Sequence, residues 1–107
     1  MTDTTKNNEM QHFNKLTPAE AERLAMLAEE CGEVIQIVGK ILRHGYDNYH
    51  PVNPCVSNRD LLVKELRDVN AVLLAMGRGE LREYSVQDVV GVWDRKLQYT
   101  HHQGKPL

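Results

Sequence analysis

Four acidic residues fall into two pairs that have the same helical spacing. Glu30 and Glu33 lie three residues apart in the segment EECGE, and Glu65 and Asp68 lie three residues apart in the segment ELRD. Residues at positions i and i+3 share one face of an α-helix, so each segment would present two carboxylates one turn apart. A single pair of this kind usually marks a solvated helix face. Two pairs that converge could instead bind a hard divalent cation.

Apolar residues flank both acidic pairs on the same helical face. Met26 stands four residues before the first pair, and Ile37 stands four residues after it. Leu61 and Val72 occupy the same positions around the second pair, so the two frames match at a constant offset of 35 residues. Carboxylates enclosed by apolar side chains are at least partly buried. A buried charge has to be protonated, paired or bound to a metal.

Two kinds of cation could balance these carboxylates. Lys64 and Arg67 directly precede the acids of the second pair, but adjacent residues on a helix point in different directions, so we expect neither to face the acids well. The alternative is Mg²⁺ or Mn²⁺. Hard ions take oxygen ligands, and Mg²⁺ commonly binds a few carboxylates together with waters and substrate phosphates. The residue types favour Mg²⁺, with Mn²⁺ as a substitute, over Zn²⁺.

A long helix has to position the first pair. In the segment LTPAE, Thr17 suits the N-cap, Pro18 the first helical position and Glu20 the third, which together form a capping box. Apolar residues then recur at helical spacing, and Gly45 suits the position after the C-terminus. The pattern predicts a helix over 17–44.

Two further helices follow by the same signals. Ser57 or Asn58 can cap a second helix, which we predict over 58–77. The stretch between the first two helices contains two prolines and no apolar period, so it is predicted to be a loop. A capping box that starts at Ser85 and apolar residues at helical spacing predict a third helix over 85–99.

No segment shows the alternation typical of a strand, so the chain is predicted to be all-α, an antiparallel helical bundle. We predict a polar N-terminal arm over 1–15, one helical domain over 16–100 and a polar tail over 101–107. Two long helices and one short helix give a thin core, and small domains bury a limited fraction of their surface. We therefore expect homo-oligomerisation to complete the core.

Composition excludes several classes of protein. The 107 residues carry a formal net charge of −2, which lacks the basic footprint of a nucleic-acid-binding protein. A hydrophobic content of 41% and a charged content of 26% lie in the globular range, and no apolar run approaches the length of a membrane span. The polar N-terminus does not resemble a signal peptide, and Cys31 and Cys55 form no disulfide framework. We expect a cytoplasmic protein.

The segments EECGE and ELRD together resemble the ExxE…ExxD signature of the MazG-like, all-α nucleoside triphosphate pyrophosphohydrolases. The resemblance covers roughly residues 17–77 and is strongest to small, single-domain, phage-type members. It implies that Glu30, Glu33, Glu65 and Asp68 are catalytic Mg²⁺ ligands. It also implies hydrolysis of a nucleoside triphosphate between the α and β phosphates, and assembly into homodimers or homotetramers.

Four residues are candidates for substrate binding. Lys40 lies seven residues after Glu33 and shares its face, and Arg43 follows. Both could reach a triphosphate or could simply stabilise the C-terminal end of the helix. The resemblance places basic residues on the third helix near the phosphates, which makes Lys96 a candidate. Asn70 interrupts the apolar face of the second helix and could contact a base or sugar, or join a network between helices.

Three functions remain open from the sequence. The first is a Mg²⁺-dependent nucleoside triphosphate pyrophosphohydrolase, with a deoxynucleoside triphosphate as the favoured substrate. The second is a non-catalytic helical binding or regulatory protein of the same fold. The third is a related phosphoanhydride hydrolase, such as one acting on phosphoribosyl-ATP. The presence of all four acids favours an enzyme.

Overall fold

A computed structural model describes residues 13–49, 51–52 and 54–107, and these residues form three α-helices. In chain order, α1 spans Pro18–His44, α2 spans Asn58–Met76 and α3 spans Val86–Leu97. The described residues contain no β-strand, which confirms the all-α class. The first twelve residues of the predicted N-terminal arm lie outside the described part. None of the three helices is long and apolar enough to cross a bilayer.

Each helix begins at a capping box. The N-cap side chain accepts a hydrogen bond from the backbone N–H at the third helical position, and the side chain there accepts one from the cap N–H, in the pairs Thr17–Glu20, Ser57–Asp60 and Ser85–Asp88. These bonds satisfy N–H groups that have no partner inside the helix. The predicted helix starts are confirmed, and Ser57 rather than Asn58 is the cap of α2.

The helix ends differ slightly from the prediction. Gly45 follows α1 with a φ of 88°, a backbone conformation that favours glycine, and its N–H donates to the Ile41 carbonyl. The third helix ends at Leu97 rather than at residue 99. The N–H groups of the next three residues each donate to a carbonyl three positions back, so the α-helical pattern is already lost there.

The core lies between α1 and α2, which form the main helix–helix contact in the described part of the chain. The buried apolar side chains there are Ile37, Val72 and Met76. Two of the four residues predicted to enclose the acids, Ile37 and Val72, are therefore buried. Met26 is not, since 46% of it is exposed. Enclosure of the acidic face is only partial in the single chain.

The loop after α1 is tied to the start of α2. Asn58 is buried and its Nδ2 donates to the Gly45 carbonyl at 3.1 Å. The backbone N–H groups of Asn58 and Arg59 donate to the carbonyls of Asn48 and Tyr46, both at 2.8 Å. The Arg59 guanidinium also lies 4.4 Å from the centre of the Tyr46 ring. These bonds fix the end of α1 relative to the start of α2.

The third helix adds little to this core. It has no buried residue, and Arg23 of α1 pairs with Glu80 in the connection that precedes it. The radius of gyration is 19.3 Å, whereas a compact chain of about 100 residues has about 13 Å. Large apolar side chains remain exposed, among them Ile35, Leu42, Leu74 and Val86. A single chain therefore leaves much apolar surface uncovered.

Candidate metal centre

The packing of α1 against α2 brings the four predicted acids together. Glu30 and Glu33 extend from α1, and Glu65 and Asp68 extend from α2. One carboxylate oxygen from each of the four lies within 4.8 Å of the others. We call these four residues the acidic cluster. All four side chains are half-buried, as the apolar flanks of both pairs predicted.

Two oxygens of the acidic cluster are buried without a hydrogen-bond partner in the described structure. They are Oε2 of Glu30 and Oε2 of Glu65. A buried carboxylate oxygen without a partner is costly, and native structures usually satisfy such atoms with a donor, a water or an ion. These two atoms therefore mark where an additional cation or proton would be stabilised.

The environment of Glu65 disfavours its negative charge. A hydrogen bond with Glu33, burial and repulsion from the Glu33 carboxylate together raise the pKa of Glu65, and the nearby Lys64 ammonium offsets part of that rise. The Glu65 side chain is only 15% exposed, so water screens the repulsion incompletely. Without a metal, Glu65 therefore holds a proton more readily than an ordinary glutamate does.

The expectation that Lys64 would not face the acids is wrong. Its Nζ lies 3.2 Å from Oδ2 of Asp68 and 3.5 Å from Oε1 of Glu65. Lys64 and Asp68 are four residues apart, a spacing that places both on one helical face. The flexible lysine stem lets the ammonium reach the adjacent Glu65 as well. The hydrogen bond to Asp68 raises the pKa of Lys64, so the side chain stays charged.

The acidic cluster fits a hard divalent cation. Ligands on opposite sides of an octahedral Mg²⁺ ion lie about 4.2 Å apart, because each Mg–O bond is about 2.1 Å long. The 4.8 Å that encloses four oxygens of the cluster is only slightly larger. The donors are all carboxylate oxygens, and two of the buried oxygens lack any partner. The cluster can therefore hold a metal ion.

A cavity of about 660 Å³ adjoins the acidic cluster. Glu33 and Glu65 line it together with the cations of Lys40, Arg43 and Lys64. The two predicted phosphate-binding residues of α1 thus line the same cavity as two of the acids. The cavity has the volume of a small-molecule site, and both carboxylates and cations line it.

A second cavity, of about 340 Å³, lies next to the first and shares Lys40 and Leu61 with it. Its other lining residues come from the end of α1, the following loop and the start of α2, namely His44, Asn48, Tyr49, Pro51 and Asn58. These side chains offer an aromatic ring, an imidazole and amides. The two cavities therefore adjoin at Lys40 and Leu61.

The other two predicted substrate-binding residues lie elsewhere in the single chain. Asn70 is exposed and lines a separate cavity of about 850 Å³ near Arg78 and Tyr84. Lys96 is exposed on α3 and does not line the cavity beside the acids. Their substrate-binding roles stay predictions. The residue that the sequence reasoning missed is Lys64, and its i, i+4 spacing to Asp68 was the available signal.

Comparison of the chain with protein-family models, with curated proteins and with solved structures finds no match. The fold and the site define its class. In the described residues the protein is all-helical, and two paired helices carry a four-carboxylate cluster next to a cavity that is lined in part by cations. The resemblance of its acidic motif to MazG-like enzymes stays a prediction.

Proposed function

We propose that the protein is a Mg²⁺-dependent hydrolase of nucleoside triphosphates, with deoxynucleoside triphosphates as favoured substrates. It cleaves between the α and β phosphates and yields a monophosphate and pyrophosphate. One observation carries the proposal: four carboxylate oxygens lie within 4.8 Å of one another, and two of these acids, Glu33 and Glu65, line a cavity that three cations also line. A polyphosphate needs both a divalent ion and basic side chains for charge neutralisation.

The chain's own residues have distinct tasks in this reaction. The acidic cluster would hold the ion, which would supply neutralisation of phosphate charge and a more acidic water. Lys40 and Arg43 bind the phosphate tail and support the charge that develops on the leaving pyrophosphate. The water oxygen bonds to the α phosphorus, the bond from that phosphorus to the bridging oxygen breaks, and a cluster carboxylate accepts the released proton.

The proposal includes an antiparallel bundle completed by a second copy of the chain, as a homodimer or homotetramer. The exposed apolar side chains of α1 and α2 support it, among them Ile35, Leu42 and Leu74. Such surfaces are commonly covered in obligate assemblies. Light scattering at several protein concentrations tests this part of the proposal, and a monodisperse monomer would refute it.

The function is tested by product analysis on a panel of nucleoside and deoxynucleoside triphosphates with Mg²⁺. Phosphorus NMR distinguishes monophosphate and pyrophosphate from diphosphate and phosphate. We expect the first pair of products, and we expect E65Q to lose turnover. E29Q is the matched control, because Glu29 is an exposed carboxylate next to Glu30 but outside the acidic cluster. Absence of turnover in the folded, metal-loaded wild type would refute the proposal.

A second candidate is a binding or regulatory protein of the same architecture without turnover. It is favoured by the ion pairs of Lys64 with Glu65 and Asp68, because these already balance part of the cluster's charge. The product analysis distinguishes the two candidates, because a binding protein would retain the nucleotide without releasing pyrophosphate. Adding phosphoribosyl-ATP to the panel tests the related hydrolase.

A further inference from the structure

We propose that Lys64 is a resident counter-ion of the acidic cluster that exchanges its partners when the cluster is loaded. Without metal, the ammonium pairs with Glu65 and Asp68. In the loaded site it turns away from these carboxylates and binds phosphate oxygens in the adjoining cavity. The inference rests on the proposed function, since it assigns a further substrate-binding residue to the same site.

The contacts of Lys64 place it between two sets of partners. Its Nζ lies within 3.5 Å of an oxygen of Glu65 and of Asp68. The same side chain lines the cavity that Lys40 and Arg43 also line. Because 55% of the Lys64 side chain is exposed, it can change rotamer without disturbing the core. A single lysine stem thus reaches either the carboxylates or the cavity.

Charge makes these two positions alternatives. An ammonium group and a divalent cation on the same carboxylates repel one another, and they compete for the same oxygen lone pairs. Loading the cluster therefore weakens the contacts of Lys64 with Glu65 and Asp68. A polyphosphate in the cavity then offers the displaced ammonium new anionic partners. Metal binding and polyphosphate binding are consequently expected to reinforce one another through this residue.

The first test measures Mn²⁺ binding to the full chain by calorimetry, with K64M as the variant. Methionine keeps an unbranched apolar stem and removes the charge. Because exposed ion pairs are weak, we expect K64M to bind Mn²⁺ about two- to tenfold more tightly than the wild type. R67M is the matched control: Arg67 is exposed and directly precedes Asp68, as Lys64 precedes Glu65, but it does not line the cavity. We expect its Mn²⁺ affinity to stay within about twofold of the wild type.

The second test measures binding of inorganic tripolyphosphate to the Mn²⁺-loaded protein. We expect K64M to bind this probe more weakly than the wild type, whereas R67M should bind it about equally. K64R keeps the positive charge, so it should retain tripolyphosphate binding and should not gain Mn²⁺ affinity. Far-UV circular dichroism checks that every variant is folded.

The outcomes separate this inference from the function on which it rests. If the wild type binds Mn²⁺ and K64M binds it no more tightly, the counter-ion role is wrong while the proposed metal site stands. Equal gains of Mn²⁺ affinity in K64M and R67M would also overturn it, because a general charge effect would then suffice. If the wild type binds no divalent ion, the proposed function fails and this inference fails with it.

Discussion

Replacing Glu65 with glutamine should make the metal-free protein more stable and abolish its stabilisation by metal. Most substitutions of half-buried residues destabilise a protein, so the predicted sign is unusual. It follows from the acidic cluster, in which four carboxylates crowd within 4.8 Å and only part of the charge is balanced. Glutamine keeps the shape of the side chain and can donate a hydrogen bond to Glu33, which the ionised Glu65 cannot.

The size of the gain follows from the separation of the charges. Two like charges 4.8 Å apart repel by about 0.9 kcal/mol in bulk water and by about 3.5 kcal/mol at an effective dielectric constant of about 20. Water reaches the cluster, since the Asp68 side chain is 40% exposed. The raised pKa of Glu65 has the same repulsion among its causes. We therefore expect a gain of about 1 kcal/mol, and Lys64 keeps Asp68 as a partner.

Thermal unfolding with and without Mg²⁺ measures both effects, at about pH 8, where the carboxylates are largely ionised. For a chain of this size, about 1 kcal/mol corresponds to a rise in Tm of about 4 °C. Mg²⁺ at about 100 times its Kd should raise the free energy of unfolding of the wild type by about 2.7 kcal/mol. The free energy of unfolding of E65Q should not change when Mg²⁺ is added. E29Q should behave as the wild type in both arms. A metal-free E65Q that is less stable, or one that Mg²⁺ still stabilises fully, would contradict the reasoning.

Two further predictions concern pH and the loop. Because the pKa of Glu65 is raised in the folded metal-free protein, the folded state binds more protons than the unfolded chain. The stability that this protonation contributes is fully present below the ordinary pKa of a glutamate, about 4.3. It is lost as the pH rises through the higher pKa of the folded state. Urea unfolding at a series of pH values should show this loss in the wild type but not in E65Q, and parallel curves would contradict it. Asn58→Ala should lower the free energy of unfolding by about 1–2 kcal/mol, because the buried bond from Nδ2 to the Gly45 carbonyl is lost. Urea unfolding measures that change, and Asn70→Ala, at an exposed position on the same helix, should cost less.

The helices could be predicted closely because their signals are local. The capping boxes that begin at Thr17 and Ser85 need only residues three positions apart, and the structure contains both. The predicted end of α3 lies two residues too late. Nothing in the side-chain pattern marks the point where the backbone N–H groups begin to donate to carbonyls three positions back instead of four. The side-chain hydrogen bond from buried Asn58 to the Gly45 carbonyl was not predicted, because its partners are thirteen positions apart in the sequence.

The acidic cluster was predictable because one frame of residues occurs twice. Two helices that pack through matching apolar stripes bring the acids between those stripes together, and Glu30 and Glu65 lie in corresponding positions. Side-chain direction was less predictable. Lys64 directly precedes Glu65 in the sequence, and the expectation drawn from that adjacency, that it would not face the acids, is wrong. Its rotamer decides whether the ammonium pairs with the carboxylates or points into the cavity.

The apolar residues that flank the two acidic pairs also predicted a more deeply buried acidic cluster than a single chain provides. Ile37 and Val72 are buried between α1 and α2, but Met26 is 46% exposed and the Asp68 side chain is 40% exposed on the same faces. One pair of helices covers only the stripe along which the two helices meet, so further apolar residues of the frame need another surface to pack against. The third helix does not supply it within the described chain, and the proposed second copy would cover this side. Water would then be excluded from the acidic cluster more completely. The carboxylates would repel one another more strongly, and a bound cation would stabilise the cluster more.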